Sequence, residues 1–169
     1  MTIRLSTKLA KYLLGSSKGT PHVGSSLRRI MKDGFIELYP GTQPASADTA
    51  PPTASTPLVQ IAANAGSPVQ GRTGLEFATA AVDNVLSKAA GQTWSGEGKS
   101  VATSSGTTAG WFRFYHSGYK GGGSSDGATS VCFDGSIATS GADLNMSNTT
   151  IVDGATTTLD TFTVTLPLT

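Results

Sequence analysis

Only one cysteine, three glutamates and two histidines occur among the 169 residues, and each scarcity removes a class of function. A single thiol, Cys132, cannot build an internal disulfide framework. It sits in the apolar run Val131-Cys132-Phe133 and reads as a buried, inert thiol rather than a nucleophile. His22 and His116 have no second histidine or cysteine at ligand spacing, so a zinc site is not expected. Glu37, Glu76 and Glu97 are too scattered for the paired carboxylates of a glycosidase. No G-x-S-x-G elbow is present to strain a serine nucleophile. Apolar runs fall short of a membrane-spanning length. At the N-terminus Lys8 and Lys11 interrupt Leu5, Leu9, Leu13 and Leu14, which argues against a secretory signal.

Aspartate is less scarce. Asp126, Asp134, Asp143, Asp153 and Asp160 are numerous enough to raise a calcium site, but they lack the dense D-x-D-x-D-G spacing of a calcium loop. Asp before Gly, as at Asp134-Gly135, is turn chemistry. The run GQTWSGEGKS (91–100) ends as a phosphate-binding loop ends. That motif needs a glycine five residues before Gly98, where Thr93 stands, and a helix after it, where VATSSG follows. The run therefore reads as a turn before a strand, with Trp94 packed and Lys99 solvated. No catalytic constellation, cofactor site or metal site is expected.

What is abundant is glycine, serine, threonine and alanine, with charged residues at only 14%. That balance favours short strands and many turns over helices. Net charge is +1, but unevenly spread. Residues 1–33 hold seven basic side chains against Asp33 alone, a net +6, whereas the remainder has five basic and ten acidic, a net −5. Such asymmetry marks an interaction arm. The chain divides on this reading into a basic N-terminal arm, 1–33, and one β-rich domain, 34–169.

Within the arm, Leu5, Leu9, Tyr12 and Leu13 recur at helical spacing and predict a helix over 6–14, capped by Ser6 or Thr7. After the flexible joint GSSKGTPHVGSS, Ser26 caps a second helix, Leu27–Asp33, closed by Gly34. Both are too short to hold alone in water. The arm is expected to be loose in the free protein and fixed by a partner through Arg4, Lys8, Lys11, Arg28 and Arg29. Attachment of that kind is salt-sensitive. Few aromatics accompany these charges and no recognition motif is present, so an acidic protein surface, not nucleic acid, is the expected partner.

From Phe35 the period becomes two. FIELY places Ile36 and Leu38 on one face and Phe35, Glu37 and Tyr39 on the other. TQPASADTAPPTASTP is an extended loop expected to lie over a surface. Further strands are predicted at Leu58–Ala62, Leu75–Ala78, WFRFYH (111–116), SVCFDGSIA (130–138) and around Phe162, Val164 and Leu166. In AAVDNVLSKAAG a short helix is a candidate, weakened by Val82 and Val85. Short strands with turns every eight to twelve residues predict a mainly β protein, an antiparallel β-sandwich or jelly-roll-like body with a short helical N-terminal arm.

Trp94, Trp111, Tyr115 and Tyr119 present two alternatives, a sugar platform or core and interface packing. The sequons at Asn145 and Asn148 have meaning only in a secreted eukaryotic chain.

The stretches YPGTQPASADTAP (39–51), GQTWSGEG (91–98), GTTAGWFRFY (106–115) and DGSIATSGADLNMSNTTIVDGATTTLDTFTVTLP (134–167) resemble small virion structural proteins of tailed bacteriophages. The likeness runs over nearly the whole chain. It implies a non-enzymatic particle component, assembled in the bacterial cytoplasm and carried in the virion, with no catalytic residues to transfer. The expected role is a capsid decoration (cement) protein that binds the major capsid protein or other virion proteins. A homo-oligomer is expected, a trimer being one form. The alternatives are a tail, baseplate or head–tail connector component, or a glycan-binding fibre or spike module using Trp111 and Tyr115.

Overall fold

The computed structural model describes residues 3–14, 26–51, 56–63, 74–117 and 131–165. In chain order these form β1 (Arg4–Leu5), α1 (Thr7–Leu13), α2 (Leu27–Ile30), β2 (Phe35–Pro40), β3 (Val59–Ala63), β4 (Val85–Ser87) and β5 (Trp94–Glu97). A single 3-10 turn at Ser100–Ala102 leads to β6 (Thr107–Tyr115) and β7 (Cys132–Ala138). Four short strands follow among the described residues: β8 (Leu144–Asn145), β9 (Thr150–Ile151), β10 (Thr156–Leu159) and β11 (Thr163–Thr165).

The main sheet runs β1-β7-β6-β2-β3-β5-β10, with β9 on β6 and β8 on β7; β4 and β11 form a separate pair. All pairings are antiparallel except β7 with β8. The expected mainly β, antiparallel body is therefore what the chain forms, with the two sheets enclosing one core.

Alternation decides which side chains fill that core. Ile36, Leu38, Phe112, Phe114 and Phe133 point inward from β2, β6 and β7 and are fully or nearly fully buried. Phe162 and Val164 join them from the β11 segment, while Thr163 and Thr165 stay exposed. Aromatic rings meet at the centre: Phe114 stacks on Phe133 at 5.1 Å, and Phe77 stacks on Phe114 at 5.4 Å. Trp94 and Phe162 lie 5.5 Å apart.

The division of the chain at residue 33 is not seen in the packing. β1 pairs with β7, Arg4 opposite Asp134 and Leu5 opposite Phe133. Ser6 caps α1, its Oγ accepting from Leu9 N at 3.2 Å. The helix then buries Leu9 and Tyr12 in the same core as Phe112 and Phe114. α2, shorter than expected, is capped by Ser26 and buries Leu27 and Ile30 there too. Two short helices stay folded because each inserts apolar side chains into the body, which supplies what propensity cannot. The expectation of a loosely docked arm is thus corrected for residues 3–14 and 26–33; the joint between them lies outside the described residues.

Other local expectations also shift. Residues 82–87 form a tight hairpin, not a helix: Val82 bridges Val85, and Asp83 takes a positive φ of 53°. The strand expected at Leu75–Ala78 reduces to two isolated bridges, Gly34 with Leu75 and Phe77 with Lys88. The run containing Trp94 is itself a strand, β5, held between β3 and β10. Lys99 is half-buried rather than solvated, and only a 3-10 turn follows it.

Candidate functional site

Most antiparallel sheets leave one face to water. Here the outer face of β2, β6 and β7 is buried as deeply as the inner one. Trp111, Tyr115 and Tyr39 are each 1% exposed, and Glu37, Arg113 and Asp134 are 1% or less. The cover is the segment 41–51. It leaves β2 through Gly41, whose φ of +75° makes the turn, and crosses β6 at Gly110. A Cβ at Gly110 would run into the Gly41 carbonyl, so the crossing requires glycine there. The expectation that this loop lies over a surface is met for 42–51; residues 52–55 lie outside the described residues.

Register explains the charges beneath it. Glu37 stands opposite Gln60 on one side and Arg113 on the other; Arg113 stands opposite Asp134, and Asp134 opposite Arg4. One row across five strands therefore reads Gln60, Glu37, Arg113, Asp134, Arg4, with opposite charges adjacent. Arg113 Nη2 donates to Asp134 Oδ2 at 2.7 Å, both side chains fully buried. Arg113 Nη1 donates to Thr49 O at 2.9 Å, and its guanidinium carbon lies 5.4 Å from the Trp111 ring centre. Nε has no partner among the described residues. Burial is the largest influence on the Arg113 charge and opposes it, but the hydrogen bond to Asp134 together with the fields of Cys132, Tyr115 and Asp134 outweighs it, and the guanidinium is held more firmly protonated than usual.

The strap is pegged to this row. Gln43 Nε2 donates to Asp134 Oδ1 at 2.7 Å, and Arg4 Nη1 donates to Pro44 O. Thr7 N donates to Asp48 Oδ1 at 2.8 Å, with a second bond from Thr7 Oγ1 to Asp48 Oδ2. Cys132, fully buried as expected, points its thiol at Ala47 O at 3.6 Å. Burial pushes that thiol up to about 11, so it stays protonated and unreactive at neutral pH.

Glu37 is the least compensated charge. It accepts from the Tyr39 hydroxyl and from Gln60 Nε2, the latter at 2.9 Å. Desolvation raises its pKa above the ordinary 4.5, although Tyr39, Lys99, Gln60 and Arg113 all pull the other way. Burial and the neighbouring Glu37 charge drive the Tyr39 phenol well above its usual range, which keeps its proton available for the carboxylate. A carboxyl whose folded pKa is raised binds its proton more readily in the native state. Its contribution is complete below pH 4.5 and is lost as pH rises through the folded value. Glu37→Gln retains the shape and removes the titration. The stability of the variant relative to the parent should therefore rise from pH 4 to pH 8, measured by urea unfolding at each pH. A difference that is flat or falls with pH would contradict it.

The arrangement can do structural work: it fixes register and anchors the strap. Its three central members, Glu37, Arg113 and Asp134, are shut from solvent, while Gln60 and Arg4 at the ends of the row are half-buried. Glu37 and Arg113 were each visible as the central residue of an alternating strand (FIELY, FRF), facing the same side as the aromatics; Asp134, expected with Gly135 as turn chemistry, instead stands within β7, paired with Arg113. Their shared row was not, because pairing partners are not written in any one segment.

Arg4 and Arg28 are partly buried and donate to body carbonyls, Arg28 Nε to Phe77 O at 3.4 Å. Lys8 is half-buried, and Lys11 and Arg29 are exposed. The five expected partner-binding residues thus split, two of them serving the fold. Trp94, Trp111 and Tyr115 are buried and cannot form an exposed sugar platform; Tyr119 lies outside the described residues.

Asp134 is committed to Arg113, and Asp143 accepts from Ser136 N at 3.0 Å and Ser136 Oγ at 2.8 Å. No three metal-ligating side chains gather among the described residues. Asn145 and Asn148 accept from the backbone N–H groups of Ala142 and Thr150, which is turn chemistry.

Comparisons with protein-family models, with curated proteins and with solved structures find no match to this chain.

What remains at the surface is strand edge. Between β10 and the segment carrying β8 and β9 runs a groove of about 460 Å³, walled by Asn145, Ser147, Asn148 and Thr150 on one side and 156–161 on the other. Its lining is mainly hydroxyl and amide, with Met146, Ile151, Leu159 and the Asp160 carboxylate, and has no aromatic rings.

Proposed function

We propose that the protein is a non-enzymatic structural subunit of a tailed-bacteriophage virion, most simply a head decoration protein attached to the major capsid protein. The sequence likeness supplies the particle. The observation that carries the reading further is the double covering of the central sheet, which buries every large aromatic side chain of β2, β5 and β6. A body built this way meets its partners through strand edges, threonine hydroxyls and a few basic side chains. Repeated contact with identical neighbours suits such a surface. A tail, baseplate or connector role uses the same contacts and differs in copy number.

Lys11 and Arg29 are the exposed members of the basic set. Lys11→Glu with Arg29→Glu should leave the fold intact and weaken co-sedimentation with particles lacking the protein, by about tenfold at low salt, since each exposed ion pair contributes about 0.2–1 kcal/mol. Raising salt should narrow the gap. Equal binding at every salt concentration would remove these side chains from the attachment. A mass-spectrometric count on purified particles separates hundreds of copies, expected of decoration, from the few expected of a connector; the low count would overturn the head assignment.

A further inference from the structure

β10 and β1 are the two ends of one continuous sheet, and each pairs on one side only among the described residues. Exposed strand edges are ordinarily guarded by lysine, proline, a bulge or a covering loop. Among the described residues β10 carries no lysine, proline or bulge, and the segment 145–151 faces it only across the groove. Its sequence is Thr-Thr-Thr-Leu, and its register with β5 is unbroken from Thr156 opposite Glu97 to Leu159 opposite Trp94.

The direction of its backbone groups follows from the neighbouring bond of Gly98 N to Ala155 O, 2.9 Å. Hydrogen-bonded pairs alternate along an antiparallel ladder, so Thr157 and Leu159 turn their N–H and C=O to β5. Those of Thr156 and Thr158 face the groove.

Charge differs between the two ends. Exposed Glu97, Asp153 and Asp160 surround β10. At the other end stand half-buried Lys8 and exposed Lys11 on α1, which follows β1 after Ser6; Arg4 is held by Pro44 O, and Asp48 of the strap is bonded to Thr7. An acidic unpaired edge and a basic unpaired edge on one molecule are complementary between copies. β10 extends over roughly 13 Å at about 3.3 Å per residue, and a strand beside it would lie about 4.8 Å away.

We infer that the β10 edge and its groove receive the β1 edge of a second copy of this chain, so that the sheet continues from one molecule into the next. The contact is head-to-tail: it joins unlike surfaces, and a rotation that closes gives a ring. This deepens the structural reading above but is separable from it, because a monomer could still attach to particles.

The test begins with the intact protein in sedimentation velocity over a concentration series, with two edge variants. Thr158→Pro removes an N–H that does not bond to β5, and Thr158→Lys places a charge on the exposed edge; both should keep the parent circular dichroism. Each should weaken self-association by about tenfold or more, as removal of a backbone pairing does.

Polarity is read by oxidative cross-linking. Ile3→Cys and Thr158→Cys proteins should give disulfide dimers when mixed and none when alone, the native Cys132 being buried. Dimers formed by Thr158→Cys alone would mean like edges meet, and would overturn the head-to-tail contact. A parent protein that is monomeric at all concentrations, yet attaches to particles, would overturn the inference and leave the proposed function standing. Edge variants that lose particle attachment while self-association is unchanged would assign β10 to another protein's strand, and would also overturn it.

Discussion

Asp134→Ala should lower stability by about 3–5 kcal/mol, the loss typical when one member of a buried ion pair is removed and its partner stays charged. The guanidinium of Arg113 is wholly buried, and besides Asp134 it meets the Thr49 carbonyl and the Trp111 ring among the described residues. Asp134 also holds Gln43 of the strap, so its removal loosens the cover as well as the charge pair. At roughly 2–4 °C per kcal/mol for a domain of this size, the melting temperature should fall by about 6–20 °C. Hydrogen exchange should accelerate over 43–49. A double replacement, Arg113→Met with Asp134→Leu, should recover much of the loss, because a buried pair gains little over well-packed apolar side chains. A melting temperature within 2 °C of the parent for Asp134→Ala would show that the row carries no stability.

Phe114→Ala should cost a similar amount, about 3–5 kcal/mol, for a different reason. Its ring is fully buried and touches Phe133, Phe77, Trp94 and Phe162 within 5.1 to 6.2 Å between ring centres. These neighbours come from four segments that cannot all move inward, so a cavity remains. Phe114→Leu fills most of that volume and should cost much less. Equal losses for the two variants would mean that the site relaxes and that packing around Phe114 is not rigid.

Period-two alternation was legible wherever the two faces differ in character. FIELY and WFRFY divided correctly into inner and outer residues because Ile, Leu and Phe alternate with Glu, Arg and Tyr. The burial of the outer set was not legible. It depends on the strap, whose Thr49 and Gln43 reach Arg113 and Asp134 across 64 and 91 positions of sequence. The hairpin at 82–87 was obscured by the helix-compatible alanines on either side of it, whereas Asp83 with its positive φ is the residue that decides it. Helix caps were written locally, Ser6 and Ser26 both taking the role that their position predicted. Charge asymmetry was real as a count. It misdirected as a boundary, because Leu9, Tyr12, Ile30 and Met31 lie among those charges and belong to the core. For the surface contacts, the telling feature is an edge without a guard, and an edge exists only once the strand order is known.

The pairing of β1 with β7 brings Arg4 beside Asp134. A ribosome adding about 5–20 residues per second needs on the order of ten seconds to travel between them. Through that interval the nascent chain carries an N-terminal strand with nowhere to dock and, near its end, an arginine without its carboxylate. The main sheet is therefore completed only after β7 and β10 have been made. Any product that stops short of residue 134 leaves its first strand without the β7 pairing and Arg113 without its carboxylate.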